Sequence, residues 1–296
     1  MRRTLIVAIF VLINSVLSTT ADELYTVSRD IPYIENGHER QVLDIYLPTT
    51  TFDAPYPVMI LVHGGGFFFG DNDSIENIAQ RYAERGYAVI APNYRLYPDA
   101  QFPDSQADVF CAVAWTFAHA DDYALNLDEI ILFGESAGGN ITAYLGAVDD
   151  ATGFIADECP HAYPENPDYD AVISLYMPVD LLSCDCPIAR RMASLYTGIS
   201  YFDWQDTNAL EDYFDISVIS WLDANDPPFY LIHGDTDFLV PLSEAELFVA
   251  QVEAVGGTAD LVIFEGANHG FLTGAIQSQF VEPSWQVIDE WLSLVG

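Results

Sequence analysis

Apolar residues arrive along this chain in short unbroken runs, separated by longer stretches of helical pattern. Gln41–Leu47 and the wholly apolar Pro57–Val62 read as strands, as do Tyr87–Pro92, Glu129–Phe133, Ala171–Met177, Phe229–His233 and Leu261–Phe264. Between them the pattern predicts helices over Ile75–Arg85, Asp104–Ala120, Ala137–Val148, Leu242–Val255 and Pro283–Leu294; Gly86 stops the first and Gly256 the fourth. Continuous apolar strands alternating with helices predict a mostly parallel sheet covered on both faces. In such a sheet the loops at the carboxyl ends of the strands carry the chemistry. Two stretches break the alternation, 149–168 and 180–222, both rich in acidic and aromatic residues. Insertions of this length serve as lids or binding loops, or pack as ordinary surface.

Chemistry-bearing residues fall where that rule directs. Gly134-Glu135-Ser136-Ala137-Gly138 follows an apolar strand and precedes a helix. This is the context of a nucleophile elbow, a sharp turn that lifts the serine hydroxyl above the sheet and needs small neighbours where strand and helix converge. His63-Gly64-Gly65-Gly66-Phe67 directly follows the strand ending at Val62. Its glycines leave backbone N–H groups free to face an oxyanion, with the Ala137 amide completing the set, so Gly65, Gly66 and Ala137 are the expected oxyanion hole. A phosphate-binding turn fits less well, because no Lys-Ser/Thr pair follows.

A serine nucleophile needs a base, and the base an orienting carboxylate. His269, in Gly266-Ala267-Asn268-His269-Gly270-Phe271, follows the last strand. Asp235 and Asp237 follow the strand before it. The order Ser136, Asp237, His269 is the one this kind of sheet uses. Asp235, next to Gly234, is placed to close a turn by bonding the backbone two residues on. The other histidines have plainer roles: His63 and His233 open glycine turns and bond loop backbone, while His38, His119 and His161 are surface or packing residues.

Four segments together resemble the hormone-sensitive-lipase-like (family IV) esterases, a bacterial carboxylesterase group with feruloyl-esterase-like and arylformamidase-like relatives. They are His63–Phe67, Asn93-Tyr94-Arg95-Leu96 with Phe102-Pro103, Gly134–Gly139, and Pro227-Pro228 through Pro241 followed by Gly266–Phe271. The likeness runs from about Val42 to the C-terminus. It implies an α/β-hydrolase fold, with helices on both faces of a mostly parallel sheet, and a serine esterase acting on short-acyl or aryl carboxylic esters without metal or cofactor. It assigns the triad acid to Asp237, and it implies that Arg95 braces the loops beneath the site through a carboxylate such as Asp108. Too few residues precede Gln41 for the helical cap such enzymes often carry there, so any lid comes from the two insertions. A triad alone does not separate ester from amide cleavage, and that alternative stays open. A ligand-binding protein on an inactive hydrolase fold would lack the serine, the base or the glycine donors; all are present.

Composition narrows the partners. The chain has 296 residues, just over half of them apolar, enough for one large domain with a full core. Acidic residues number 45 against nine basic ones, all Arg, for a formal charge of −36. Such a chain repels nucleic acid and anionic lipid, and its acidic surface reads as solvated; the expected partner, a small-molecule ester, is what the resemblance implies. Arg2 and Arg3 precede an apolar run from Leu5 to Leu17 and the small residues Ser18-Thr19-Thr20-Ala21. That pattern predicts a signal peptide over 1–21 and a secreted or periplasmic hydrolase domain over 22–296. The run is shorter than the roughly 20 residues that span a bilayer, and Asn14 and Ser15 interrupt it.

Export permits disulfides among Cys111, Cys159, Cys184 and Cys186. Cys111, in a helical apolar pattern, reads as buried packing, and Cys159 is expected to pair with Cys184 or Cys186. Cys184-x-Cys186 lacks metal-finger spacing, so no metal is expected there.

Overall fold

A computed structural model of the chain describes residues 24–49, 51–155, 158–180, 187–199, 216–272 and 277–295. The expected signal segment lies outside them.

Eight strands form one sheet: β1 (Tyr25–Pro32), β2 (Val42–Pro48), β3 (Tyr56–Val62), β4 (Ala88–Pro92), β5 (Leu125–Glu135), β6 (Ala171–Leu175), β7 (Phe229–Gly234) and β8 (Ala259–Phe264). Their spatial order is β1-β2-β4-β3-β5-β6-β7-β8. From β4 to β8 every pairing is parallel, while β1 and β2 add antiparallel partners at one edge. The apolar runs are unbroken because both faces of the central strands are buried. On β3, Val58, Ile60 and Val62 enter one core while Met59 and Leu61 enter the other.

Helices α2 (Asp104–Ala118), α4 (Ala137–Ala147) and α6 (Leu242–Val255) cover the first face with side chains such as Phe110, Tyr144 and Phe248. Helices α1 (Glu76–Ala83) and α7 (Val281–Val295) cover the second with Tyr82, Trp285 and Ile288.

Three differences from the sequence expectation bear on the fold. Strand β1 is an edge strand exposed along most of its length, so it carries no apolar run. The helix expected over Asp104–Ala120 ends at Ala118, and a separate turn, α3 (Ala120–Tyr123), follows it. The expected partner of Cys159 is wrong: Cys159 bonds Cys111, with the two Cα atoms 5.8 Å apart. The first insertion folds back over α2, where Tyr163 packs on Phe110 at 5.2 Å, and this brings the two cysteines together. Cys184 and Cys186 lie outside the described residues.

Candidate active site

Ser136 stands between β5 and α4 with φ 50° and ψ −119°, a strained conformation for a residue with a side chain. Its amide donates to the Leu175 carbonyl at 2.8 Å. The flanking glycines are obligatory. A Cβ on Gly134 would stand 2.3 Å from the Gly138 carbonyl oxygen, and one on Gly138 2.2 Å from that of Val62.

Ser136 Oγ lies 2.8 Å from His269 Nε2, and His269 Nδ1 lies 2.7 Å from Asp237 Oδ2. The Asp237 side chain is fully buried. Its other oxygen, Oδ1, accepts from the amides of Leu239 and Val240 at 2.9 and 2.8 Å. Asp237 thus faces His269 as expected and also makes the kind of turn contact expected of Asp235. Asp237 bonds the backbone ahead of it, whereas Asp235 reaches across to the amide of Gly266 at 2.6 Å. The neighbouring loop is tied in by Asn268, whose Oδ1 accepts from the amides of Phe238 and His269. His233 lies 3.5 Å from Asp237 Oδ2; burial pushes its pKa down, and its neutral ring donates from Nε2 to the Val240 carbonyl at 2.9 Å.

The glycine loop faces the same serine. Gly65 has φ 123°, and a Cβ there would fall 1.7 Å from the Phe69 carbonyl oxygen; Gly66 has φ 61°. Gly65 and Gly66 line a cavity of about 180 Å³ together with Ser136 and His269, while Ala137 opens α4, where helix amides lack intrahelical partners. His63 anchors the loop through Nδ1, 2.6 Å from the Gly64 carbonyl, and its ring stacks on Tyr94 at 4.3 Å. Burial lowers the His63 pKa to about 4, so the ring is neutral at pH 7. Arg40, whose role the sequence does not announce, bonds the carbonyls of Tyr94 and Gly70 at 2.8 and 2.9 Å.

Arg95 grips the fully buried Asp108 through Nε and Nη2 at 2.9 Å each, and its amide donates to the same carboxylate at 2.8 Å. Neither residue lines the cavity, so the pair acts as a brace beneath the loops.

One of the two insertions shapes the cavity. From the second insertion, α5 (Pro187–Thr197) contributes Ala189, Met192 and Ala193 to its wall. Met192 reaches Gly66 closely enough that a Cβ there would lie 2.6 Å from its Cε. The described part of the first insertion packs instead against α2 and α4 through Phe154 and the Cys159 disulfide. Tyr176 and Glu135, which the sequence reading assigned no role, both line the cavity. Among the described residues no cluster of three or more His, Cys, Asp or Glu could hold a metal ion, and no helix is long and apolar enough to cross a membrane.

A mostly parallel eight-stranded sheet with a serine elbow after β5 and an acid and a histidine after β7 and β8 defines the α/β-hydrolase fold. The BD-FAE family model matches residues 43–252, and the chain belongs to that family. It is 30% identical to "Esterase LipC" of Mycobacterium tuberculosis over 236 residues, which is 78% of this chain and 57% of LipC. The chain spans little more than half the length of LipC and of other curated relatives it matches.

Solved structures share the fold. Esterase B of Lactobacillus rhamnosis superposes with a TM-score of 0.74 at 20% identity, over 92% of this chain and 87% of that one. Thermogutta terrifontis esterase 2 phosphoramylated by tabun gives 0.71 at 23% identity, over 92% and 95%.

Proposed function

We propose that the protein is a serine esterase that cleaves short-acyl or aryl carboxylic esters through an acyl-enzyme. The observation that carries this reading is the hydrogen-bonded series Ser136 Oγ, His269 and Asp237, with links of 2.8 and 2.7 Å. Ser136 Oγ attacks the ester carbonyl carbon as His269 Nε2 takes its proton. Asp237 holds the imidazole tautomer and stabilises the imidazolium. The amides of Gly65, Gly66 and Ala137 receive the developing oxyanion. His269 returns the proton to the leaving alcohol, then activates a water that releases the acid.

The esterase relatives, LipC among them, support the reaction class. The apolar walls of the cavity beside Ser136, among them Phe67, Met192 and Leu239, support an apolar acyl group. The basic-apolar-small pattern over 1–21 and the Cys111–Cys159 bond support export to an oxidising compartment.

The test is a panel of p-nitrophenyl esters of rising chain length, with a matched anilide. The reading expects acetate and butyrate esters to turn over faster than long-chain esters, and each far faster than the anilide. Preferential cleavage of the anilide would make the protein an amidase.

A further inference from the structure

We propose that Tyr176, held in place by Glu135, is a positioning residue for the His269 imidazole, an inference that rests on the esterase reading above. Tyr176 leaves β6 with φ 38°, a left-handed conformation that a bulky aromatic residue rarely adopts and that persists only where its surroundings enforce it. Its amide donates to the Ile232 carbonyl on β7 at 2.8 Å, and the preceding carbonyl, that of Leu175, accepts from the Ser136 amide. The backbone at this point is therefore fixed between the nucleophile turn and the strand that leads to Asp237.

The side chain makes the same connection from the other direction. The Tyr176 ring is buried, with its centroid 4.8 Å from that of His269 and the planes at 61°, and it packs on Phe271 at 5.3 Å. Its hydroxyl donates to Glu135 Oε2 at 2.7 Å. Glu135 directly precedes Ser136 and is itself buried at the cavity wall.

One aromatic side chain thus ties the residue beside the nucleophile to the ring of the base. An imidazole held at Nδ1 by a single carboxylate oxygen can still tilt about that bond. A ring held against its flank limits the tilt and keeps Nε2 aimed at Ser136 Oγ, and the bond to Glu135 fixes the hydroxyl end of that ring. Small errors of aim are costly: a displacement of about 1 Å can reduce a rate by roughly 100-fold.

The experiment uses the full chain and p-nitrophenyl butyrate, with kcat and KM measured for Tyr176→Phe, Glu135→Gln, Glu135→Leu and the Tyr176→Phe/Glu135→Leu pair. Tyr176→Phe and Glu135→Leu should each lower kcat about tenfold, with KM within about threefold of wild type. The double variant should be no worse than either single one, because both break the same bond. Glu135→Gln keeps an accepting oxygen and should stay within about threefold of wild type.

The proposal is overturned if Tyr176→Phe leaves kcat unchanged, if the two losses multiply, if Glu135→Gln loses as much as Glu135→Leu, or if only KM moves, which would make Glu135 a substrate contact. Should Glu135→Leu fail to fold, the two near-isosteric variants decide alone. Failure of the esterase reading looks different, since wild type itself would then show no turnover.

Discussion

Asp237 presents one oxygen to His269 Nδ1 at 2.7 Å and spends the other on the amides of Leu239 and Val240. The loop that carries the acid is thereby folded around its own carboxylate, which fixes the oxygen that faces the imidazole. Asp237→Asn replaces an acceptor by an amide at one of the two positions and disturbs the tautomer of His269. It should lower kcat by on the order of 10⁴, the size of the equivalent change in another triad enzyme. Asp235→Asn, which only weakens the bond to the Gly266 amide, should keep kcat within about threefold and cost about 1 kcal/mol of stability at most. Steady-state kinetics of the two variants checks the assignment; the reverse pattern would transfer the acid role to Asp235.

Gly65 and Gly66 offer a graded test of the oxyanion loop. Both have positive φ, but a Cβ on Gly65 meets the Phe69 backbone at 1.7 Å, whereas one on Gly66 meets only the flexible end of Met192. Gly65→Ala should therefore displace the loop and lower kcat by about 100-fold or more, the cost of losing one such donor. Gly66→Ala should lose less, and Gly66→Ala combined with Met192→Ala should recover part of that loss. Equal activity in Gly65→Ala and wild type would remove this loop from the mechanism.

How much of this site was legible in the sequence follows from how local each signal is. Ser136, Asp237 and His269 sit in short motifs at strand ends, and the glycines around them are demanded by backbone approaches that leave a mark in the sequence. Tyr176 is different. It lies inside the expected strand Ala171–Met177 as any core aromatic would, though the strand ends at Leu175, and its contacts to Glu135 and His269 connect residues far apart in the chain. Met192 is hidden for a similar reason, since nothing in an acidic, aromatic insertion marks which face of α5 meets Gly66. Cys111 read correctly as a buried helix residue, yet its bond to Cys159 spans 48 residues and depends on how the first insertion folds back. Strand β1 escaped because an exposed edge needs no apolar run.

The Cys111–Cys159 bond should contribute to stability mainly by restricting the unfolded chain. A loop of this length contributes about 2–4 kcal/mol. Replacing both cysteines by Ala should lower Tm by roughly 2–4 °C for each kcal/mol lost. Peptide mapping without reduction should recover the Cys111–Cys159 pair; a Cys159 peptide joined to Cys184 or Cys186 would contradict the fold of the first insertion.

Asp226 makes stability depend on pH in a definite direction. Burial raises its pKa from the ordinary 3.8 to about 7, with Asp223 and Asp149 adding to the shift, against the opposing bond from the Asp223 amide. Between those values the folded protein holds a proton that the unfolded chain releases. Its stabilising contribution is therefore complete below about pH 3.8 and is lost as pH rises through 7. Asp226→Asn keeps a neutral acceptor at every pH. Its Tm advantage over wild type should grow from near zero at about pH 4 to a few °C at about pH 8, on the order of 1–2 kcal/mol once partial solvent contact is allowed for. Thermal melts of both proteins across that range should show the difference widening; a constant difference would refute it.

The central claim is that Ser136 is the nucleophile, and covalent capture tests it most directly. Wild-type protein incubated with a neutral p-nitrophenyl phosphonate should release one equivalent of p-nitrophenol, gain the mass of one phosphonyl group on the peptide bearing Ser136, and lose ester hydrolysis in step. Ser136→Ala should fold with an unchanged Tm, take up no label and hydrolyse p-nitrophenyl butyrate at least about 10⁴-fold more slowly. Label on another residue, or hydrolysis by Ser136→Ala within about tenfold of wild type, would contradict the account.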